Sequence, residues 1–413
     1  MGKQGSIAGL GARIWDRMRD PGTPLSAALL IMLAAGFVMP TGAAWSDVFY
    51  VVSGPLVLLA FWRGAVAGDW FGPAFYWPVL LILWSCASVF WSEDHLARDY
   101  KFLGEGFLCL VFYTGLVAAL RLPDFARLMG NVLIGFGTLN AVIAEVLYPW
   151  RNGLGGRLAG FGETRQMVLG ASVIAVAALF ALARVLTQDP RAARRRGLHL
   201  ACALLMILFV VLTQSRGPLL GLIAGILVLA AASRWRWWLL PPLLLVPALL
   251  LGLMGPVRRL VVAVLTARGE SARPEIWRAT LGRIIEHPWI GHGVGATLGF
   301  QDFTFPHDLY LSLVFYSGVV GLALFAAVAW RLLGGVIARP GAERALLIAL
   351  WANMLVSGLT DYGQIIKGPS ALWYIIWLPI AFSTFYVTHP QASVIARLRG
   401  ASVIARLRGE QAR

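Results

Sequence analysis

The chain has 413 residues, 59% of them hydrophobic and 13% charged, with a mean hydropathy of +0.73. A soluble domain carries about 45–50% apolar and about 25% charged residues, so soluble-enzyme and disordered-protein readings are excluded. The formal charge of +15 then reads as cytoplasmic loops beside anionic membrane lipid, and no nucleic-acid partner is expected.

A hydrocarbon core about 30 Å thick takes roughly 20 apolar helical residues, and about twelve runs meet that description. They are 24–41, 46–62, 74–91, 102–120, 128–147, 167–187, 198–214, 217–233, 237–254, 308–332, 344–360 and 371–388. The expectation is an all-α polytopic integral membrane protein. A basic arm (1–23) precedes the first nine spans (24–254), a polar segment (255–307) separates these from the last three (308–388), and a basic tail (389–413) follows. The arm carries Lys3, Arg13, Arg17 and Arg19, and its first apolar run lacks a small-residue cleavage site, so it reads as an anchor. Cys86, Cys109 and Cys202 all sit in apolar runs, a spacing that argues for neither a disulfide framework nor a thiolate metal cluster. The tail repeats itself, with Ala392 to Gly400 recurring at Ala401 to Gly409, a period too short for a solenoid.

Orientation follows from the basic loops. The arm, Arg121 to Arg127, Arg184 to Arg196, Arg234 with Arg236, Arg331 to Arg344 and the tail all fall on one side, which is assigned to the cytoplasm. Segment 255–307 then faces the periplasm. Several arginines disobey this bias: Arg151, Arg157 and Arg165 in a Gly-rich segment, Arg216 in the short turn TQSRGP, and Arg258, Arg259, Arg268, Arg273, Arg278 and Arg283 in the long segment. Arginine near the apolar region is costly unless paired or bound to an anion. Any one of them is explained by a lipid headgroup contact, but the set outnumbers the nearby acids, Glu105, Glu145, Glu163, Glu270, Glu275 and Glu286. Guanidinium favours phosphate through bidentate charge-assisted bonds, which points to a lipid diphosphate.

In the long segment, Ser271 is placed to cap an amphipathic helix over RPEIWRATLGRIIEH, with Pro274 in its first turn. Ile276, Trp277, Leu281, Ile284 and Ile285 fall on one broad face and Arg278 on the other. His287, His292 and His307 follow. His307 stands at the mouth of the next span, ahead of Gly318 and Gly321, which permit close helix packing, and histidine is the side chain best matched to proton transfer near neutrality. His287 and His292 read as turn residues. A three-histidine zinc site lacks HExxH or any regular ligand spacing, so no metal is expected. The segments GLGGRLAGFG and GHGVGATLGF follow no strand and contain no GK[ST], so no nucleotide cofactor is expected either.

Four blocks, GRLAGFGETRQ at 156–166, TQSRGPLLGL at 213–222, SARPEIWRATLGRIIEHPWIGHGVG at 271–295 and HDLYLSLVFYSGVVGLALF at 307–325, together resemble the O-antigen ligase and polymerase family of bacterial envelope glycosyltransferases. The resemblance implies a GT-C-like membrane fold with an outer-face site and a donor glycan carried on undecaprenyl diphosphate. It implies that Arg216 and Arg273 hold the diphosphate, with Arg157 a further ligand, and that His307 activates the acceptor hydroxyl; Asp308, Arg165 and Arg278 are supporting candidates. The family pattern of His, a polar residue, nine residues, Gly, two residues and Gly is met by His307, Gly318 and Gly321. Asp308 departs from the usual Asn, Ser or Gln and sets a carboxylate next to His307, which would favour the protonated ring. Ligation to lipid A-core is the first reading, inverting and independent of metal. Polymerisation of glycan repeats and transfer to protein are alternatives within the family, and a flippase of lipid-linked glycan is the alternative of another class. A flippase would want charges at the bilayer midplane and internal repeats, whereas Glu105 and Glu145 lie toward helix ends.

Overall fold

A computed structural model describes residues 22–64, 71–93, 100–152, 156–187, 192–232, 272–301, 303–339 and 342–389. Among these residues the chain is helical, the one β-like contact being an isolated bridge between Phe300 and Phe303. The helices are α1 (Gly22–Val38), α2 (Gly42–Trp62), α3 (Pro73–Trp91), α4 (Lys101–Ala119), α5 (Phe125–Asn152), α6 (Met167–Thr187), α7 (Ala193–Leu212), α8 (Arg216–Ala232), α9 (Arg273–Ile284), α10 (Leu309–Ile337), α11 (Ala342–Gly358) and α12 (Trp373–Thr388).

Every predicted apolar run coincides with one of these helices except 237–254, which lies outside the described residues, as do 1–21, 255–271 and the tail from 390. By length and composition, 7 helices are suited to crossing a membrane, namely α2 to α7 and α10, while α1, α8 and α12 are shorter apolar helices. The all-α polytopic expectation therefore holds at that coarser level, with seven rather than twelve such helices among the described residues.

The core forms around α6. Its sequence, ASVIAVAALFALA, is apolar on every side, and 89% of its most apolar window is buried inside the protein, the pattern of a helix surrounded by others. It packs against α5, α7, α8 and α11. The tightest approach is α8 on α11. Gly217, Gly221 and Gly225 recur every four residues along one face of α8, and a Cβ on Gly221 would stand 2.0 Å from Ser357 Oγ and 2.7 Å from the Asn353 carbonyl. Small residues at this spacing let two backbones meet where lipid supplies no hydrophobic drive.

Helix α10 departs from its reading. Gly318 was expected to permit close helix packing; instead it adopts φ 69°, ψ −176° and breaks the helical path. A loop fills the break. The backbone N–H groups of Val319 and Val320 donate to the carbonyls of Pro288 and Trp289, while His292 and Gly293 N–H donate to Phe315 and Tyr316 carbonyls. A Cβ on Gly318 would lie 2.0 Å from the Trp289 carbonyl oxygen. Backbone groups freed by a broken membrane helix have to be paired within the protein, and the segment WIGHG does this.

Helix α9 starts at Arg273 with Ala272 at its N-cap position and Pro274 in its first turn; the predicted cap, Ser271, lies outside the described residues. The broad apolar face divides in two. Ile276 is buried with Ala296, Leu298, Phe315 and Tyr316, and Trp277 and Ile284 pack beside it, whereas Leu281 and Ile285 are 51% and 78% exposed. Positions 276, 280 and 284 recur at four-residue steps and form the inward stripe, while 281 and 285 lie one residue further round.

Candidate functional site

Two of the motif blocks are laced together. Leu158 N–H donates to the Leu212 carbonyl at 3.0 Å, Gln214 Nε2 donates to the Gly156 carbonyl at 3.2 Å, and Arg157 donates through Nε to the Thr213 carbonyl and through an Nη atom to Ser215 Oγ, both at 2.9 Å. Gln214 holds φ 54°, rare for a residue with a side chain. This tight turn presents Arg216 as the exposed first residue of α8. Arg157 therefore braces the turn that carries Arg216.

The next residue, Gly217, lies against Thr360, whose Oγ1 a Cβ there would meet at 1.7 Å. Thr360 precedes Asp361, and Asp361 faces His307: its buried carboxylate Oδ1 is 3.3 Å from His307 Nδ1 and also accepts from Tyr362 N–H at 2.8 Å. The imidazole is partly exposed, and the Phe305 ring lies 3.9 Å away, centroid to centroid. Both His307 (φ 54°) and Tyr362 (φ 81°) hold left-handed backbone conformations. Such strain in side-chain-bearing residues persists only where the surroundings enforce it, and it gathers at functional sites. Tyr362 is enforced from two sides, by its hydroxyl at 3.0 Å from Ser172 Oγ and by Ser312 Oγ donating to its carbonyl.

The sequence reading placed the carboxylate of Asp308 beside His307. In the structure Asp308 is the N-cap of α10 and accepts from Leu311 N–H at 2.8 Å. A short polar side chain in extended backbone before a helix satisfies an otherwise orphan N–H. Burial raises the Asp308 pKa, and the N–H groups of Leu311 and Tyr310 oppose the shift. The acid at the ring is Asp361, more than fifty residues further along the chain.

Asp361 and Phe305 also line a cavity of about 490 Å³. Its wall carries Lys101, Lys367, Glu105, Glu163, Gln166, Gln364, Thr297 and Thr304 among apolar residues. Burial raises the pKa of Glu163, against the opposing pull of the Ala371 N–H and the Lys367 charge. A pocket of this volume with convergent polar groups fits a polar ligand unit such as a sugar. The Gly-rich loop shapes one wall: Gly162, at φ 57°, lies so close to the Gly36 and Met39 carbonyls that a Cβ would stand 2.5 Å from the former, and Thr164 Oγ1 donates to Asn140 Oδ1 at 2.8 Å.

The remaining predicted residues distribute around this centre. Arg273 opens α9, half-buried, on the stripe that also carries Ile276 and Thr280. Arg165 follows the short 3₁₀ turn at Gly162–Thr164 and is exposed, and Arg278 is exposed on the far side of α9 from Ile276. Arg258, Arg259 and Arg268 lie outside the described residues. A second group, unforeseen from sequence, forms where α3 ends: Glu93 meets His287, His292 and Arg283. His292, read as a turn residue, is fully buried. Sequence spacing gave no sign of Asp361 or Glu93, since each reaches its partners from a segment distant in the chain.

Residues 201–326 match the family described as O-Antigen ligase. Over 321 residues the chain is 29% identical to an O-antigen ligase of Pseudomonas aeruginosa, covering 76% of this chain and 77% of that protein.

Proposed function

We propose that this chain is a member of the O-antigen ligase family, which its similarity in residues 201–326 and to an O-antigen ligase of Pseudomonas aeruginosa supports, and that it transfers a glycan from undecaprenyl diphosphate to the lipid A-core oligosaccharide at the periplasmic face of a bacterial inner membrane. The observation that carries this reading is the pairing of His307 with Asp361, which lines the cavity and follows Thr360, the residue packed against the turn that presents Arg216. With Nδ1–H donating to Asp361, the lone pair on His307 Nε2 is the base. It takes the proton of the acceptor hydroxyl as that oxygen bonds to the anomeric carbon. The bond from that carbon to the diphosphate oxygen breaks, and the electron pair leaves on the diphosphate.

Asp361 steadies the imidazolium formed in this step, as an opposite charge in contact favours the charged form. Arg216 and Arg273 neutralise the leaving diphosphate, and Arg157 positions Arg216 rather than binding the substrate itself. Arginine supplies the positive charge, so the step calls for no metal, and a single displacement inverts the anomeric centre. Arg165 and Arg278, exposed at the rim, serve headgroup contact. The ligase reading is preferred to polymerisation because the relative sharing three quarters of the chain is an O-antigen ligase.

The test offers purified undecaprenyl diphosphate glycan in liposomes together with lipid A-core and a second donor molecule as competing acceptors, with chelator present. Product on lipid A-core with inverted configuration supports the proposal. Longer donor chains would make the protein a polymerase; retained configuration, or a requirement for metal in the transfer step, would remove the mechanism.

A further inference from the structure

Away from the His307 cavity, Glu93, His287 and His292 bring one ligand atom each to within 4.8 Å of one another. Glu93 Oε1 lies 2.5 Å from His292 Nδ1 and 3.6 Å from His287 Nε2. The other nitrogen of His292, Nε2, is 2.7 Å from the backbone carbonyl of Arg283. A carbonyl oxygen only accepts, so Nε2 carries a proton, and a cation that takes the place of any proton on Nδ1 meets that nitrogen, the Glu93 carboxylate and His287 Nε2 at one point. Arg283 pairs with Glu93 Oε2, and its Nη2 comes only to 3.5 Å of Nδ1, so it serves the far oxygen of the carboxylate and leaves the shared point to another charge.

We propose that Glu93, His287 and His292 form a binding site for a divalent zinc-type ion, a clip distinct from the transfer site. The donor set of two imidazoles and one carboxylate suits zinc better than the oxygen-seeking magnesium or calcium. Zinc bonds of about 2.0–2.2 Å in tetrahedral geometry set neighbouring ligand atoms roughly 3.3 Å apart. The Glu93–His287 separation is near this value, and the Glu93–His292 contact opens by under 1 Å as the ion enters. His292 is already oriented in the way metal-binding histidines are, its second nitrogen donating to a backbone carbonyl, and Arg283 holds the outer oxygen of Glu93. Solvent reaches the site through Glu93 and His287, whose side chains are 33% and 53% exposed, leaving a fourth position for water.

The site joins three pieces of chain. Glu93 ends α3, His287 follows α9, and His292 sits in the loop that fills the break in α10, where its N–H binds the Phe315 carbonyl. Bound zinc ties α9 to the broken helix and stabilises the outer end of the fold.

The experiment titrates the full-length, tag-free protein in detergent with Zn²⁺, following stoichiometry, melting temperature and the zinc X-ray absorption edge, with Mg²⁺ as control. Expected are one zinc per chain, a melting temperature raised by Zn²⁺ and not by Mg²⁺, and a shell of two imidazoles plus oxygen. His287→Ala, at a solvent-facing position, should retain the zinc-free melting temperature and weaken zinc binding at least tenfold, and the near-isosteric Glu93→Gln should weaken zinc binding at least as much while lowering the zinc-free melting temperature through loss of its pairs with His292 and Arg283. Binding of equal affinity in both variants, a shell without imidazole, or no zinc bound by the wild type would overturn the site.

Discussion

Two histidines fifteen positions apart, His292 and His307, show how surroundings divide one side chain between two tasks. His292 is fully buried, with both ring nitrogens engaged by oxygens of Glu93 and Arg283. His307 is partly exposed beside a cavity, with Nδ1 facing Asp361. A ring tied at both nitrogens fixes structure or holds a cation, whereas a ring steadied at one nitrogen keeps the other for a proton. The difference lies in the backbone: His292 is locked by hydrogen bonds into the break of α10, and His307 is held at a positive φ just ahead of that helix.

If the His307 side is the reacting one, its cations matter to turnover and those near His292 do not. Arg216→Ala removes a charge-assisted contact of about 1.5–3 kcal/mol, so transfer should fall about 10- to 150-fold at fixed donor concentration, measured in liposomes. An equal loss in Arg278→Ala, on the outer face of α9, would erase the distinction.

The His292 side is instead expected to govern stability. Gly318→Ala puts a side chain at φ 69° and against the Trp289 carbonyl, an arrangement costing about 1–3 kcal/mol. A lower melting temperature should accompany displacement of the 288–293 loop, seen as faster hydrogen exchange at Val319 and Val320. Unchanged exchange there would show that the loop does not depend on the break.

How much of this was legible beforehand follows from range. A bilayer requires long apolar helices, so runs such as 167–187 announce themselves, and the predicted span there matches the helix at both ends. His307 was legible because its motif is local. Asp361 was not: it follows α11 and reaches His307 only through the packing of α11 on α8 and α10. Gly318 was read as a packing glycine because sequence records a missing side chain, not the φ that its absence allows. The apolar face of α9 was likewise read whole, since periodicity cannot say which of two adjacent stripes meets protein.

The smallest expected effect concerns acid. Burial alone would raise the Glu93 pKa, but the hydrogen bond and charge of His292, with the charge of Arg283, hold it below the usual carboxylate range. The stabilisation from Glu93 is therefore present above the unfolded carboxylate pKa and lost as pH falls through the lowered folded value. Glu93→Gln should flatten the acid limb of the melting-temperature profile while leaving transfer at neutral pH unchanged. A sharp fall in transfer would move Glu93 to the reacting side.

The most direct measurement is single-turnover transfer by His307→Ala in liposomes, with binding of labelled donor read in parallel and Asp361→Asn alongside. Loss of a positioned general base should slow transfer about 10²–10⁴-fold with donor binding retained, and Asp361→Asn should slow it less while changing its pH dependence. Transfer at the wild-type rate in His307→Ala, or donor binding lost together with transfer, would contradict His307 as the base.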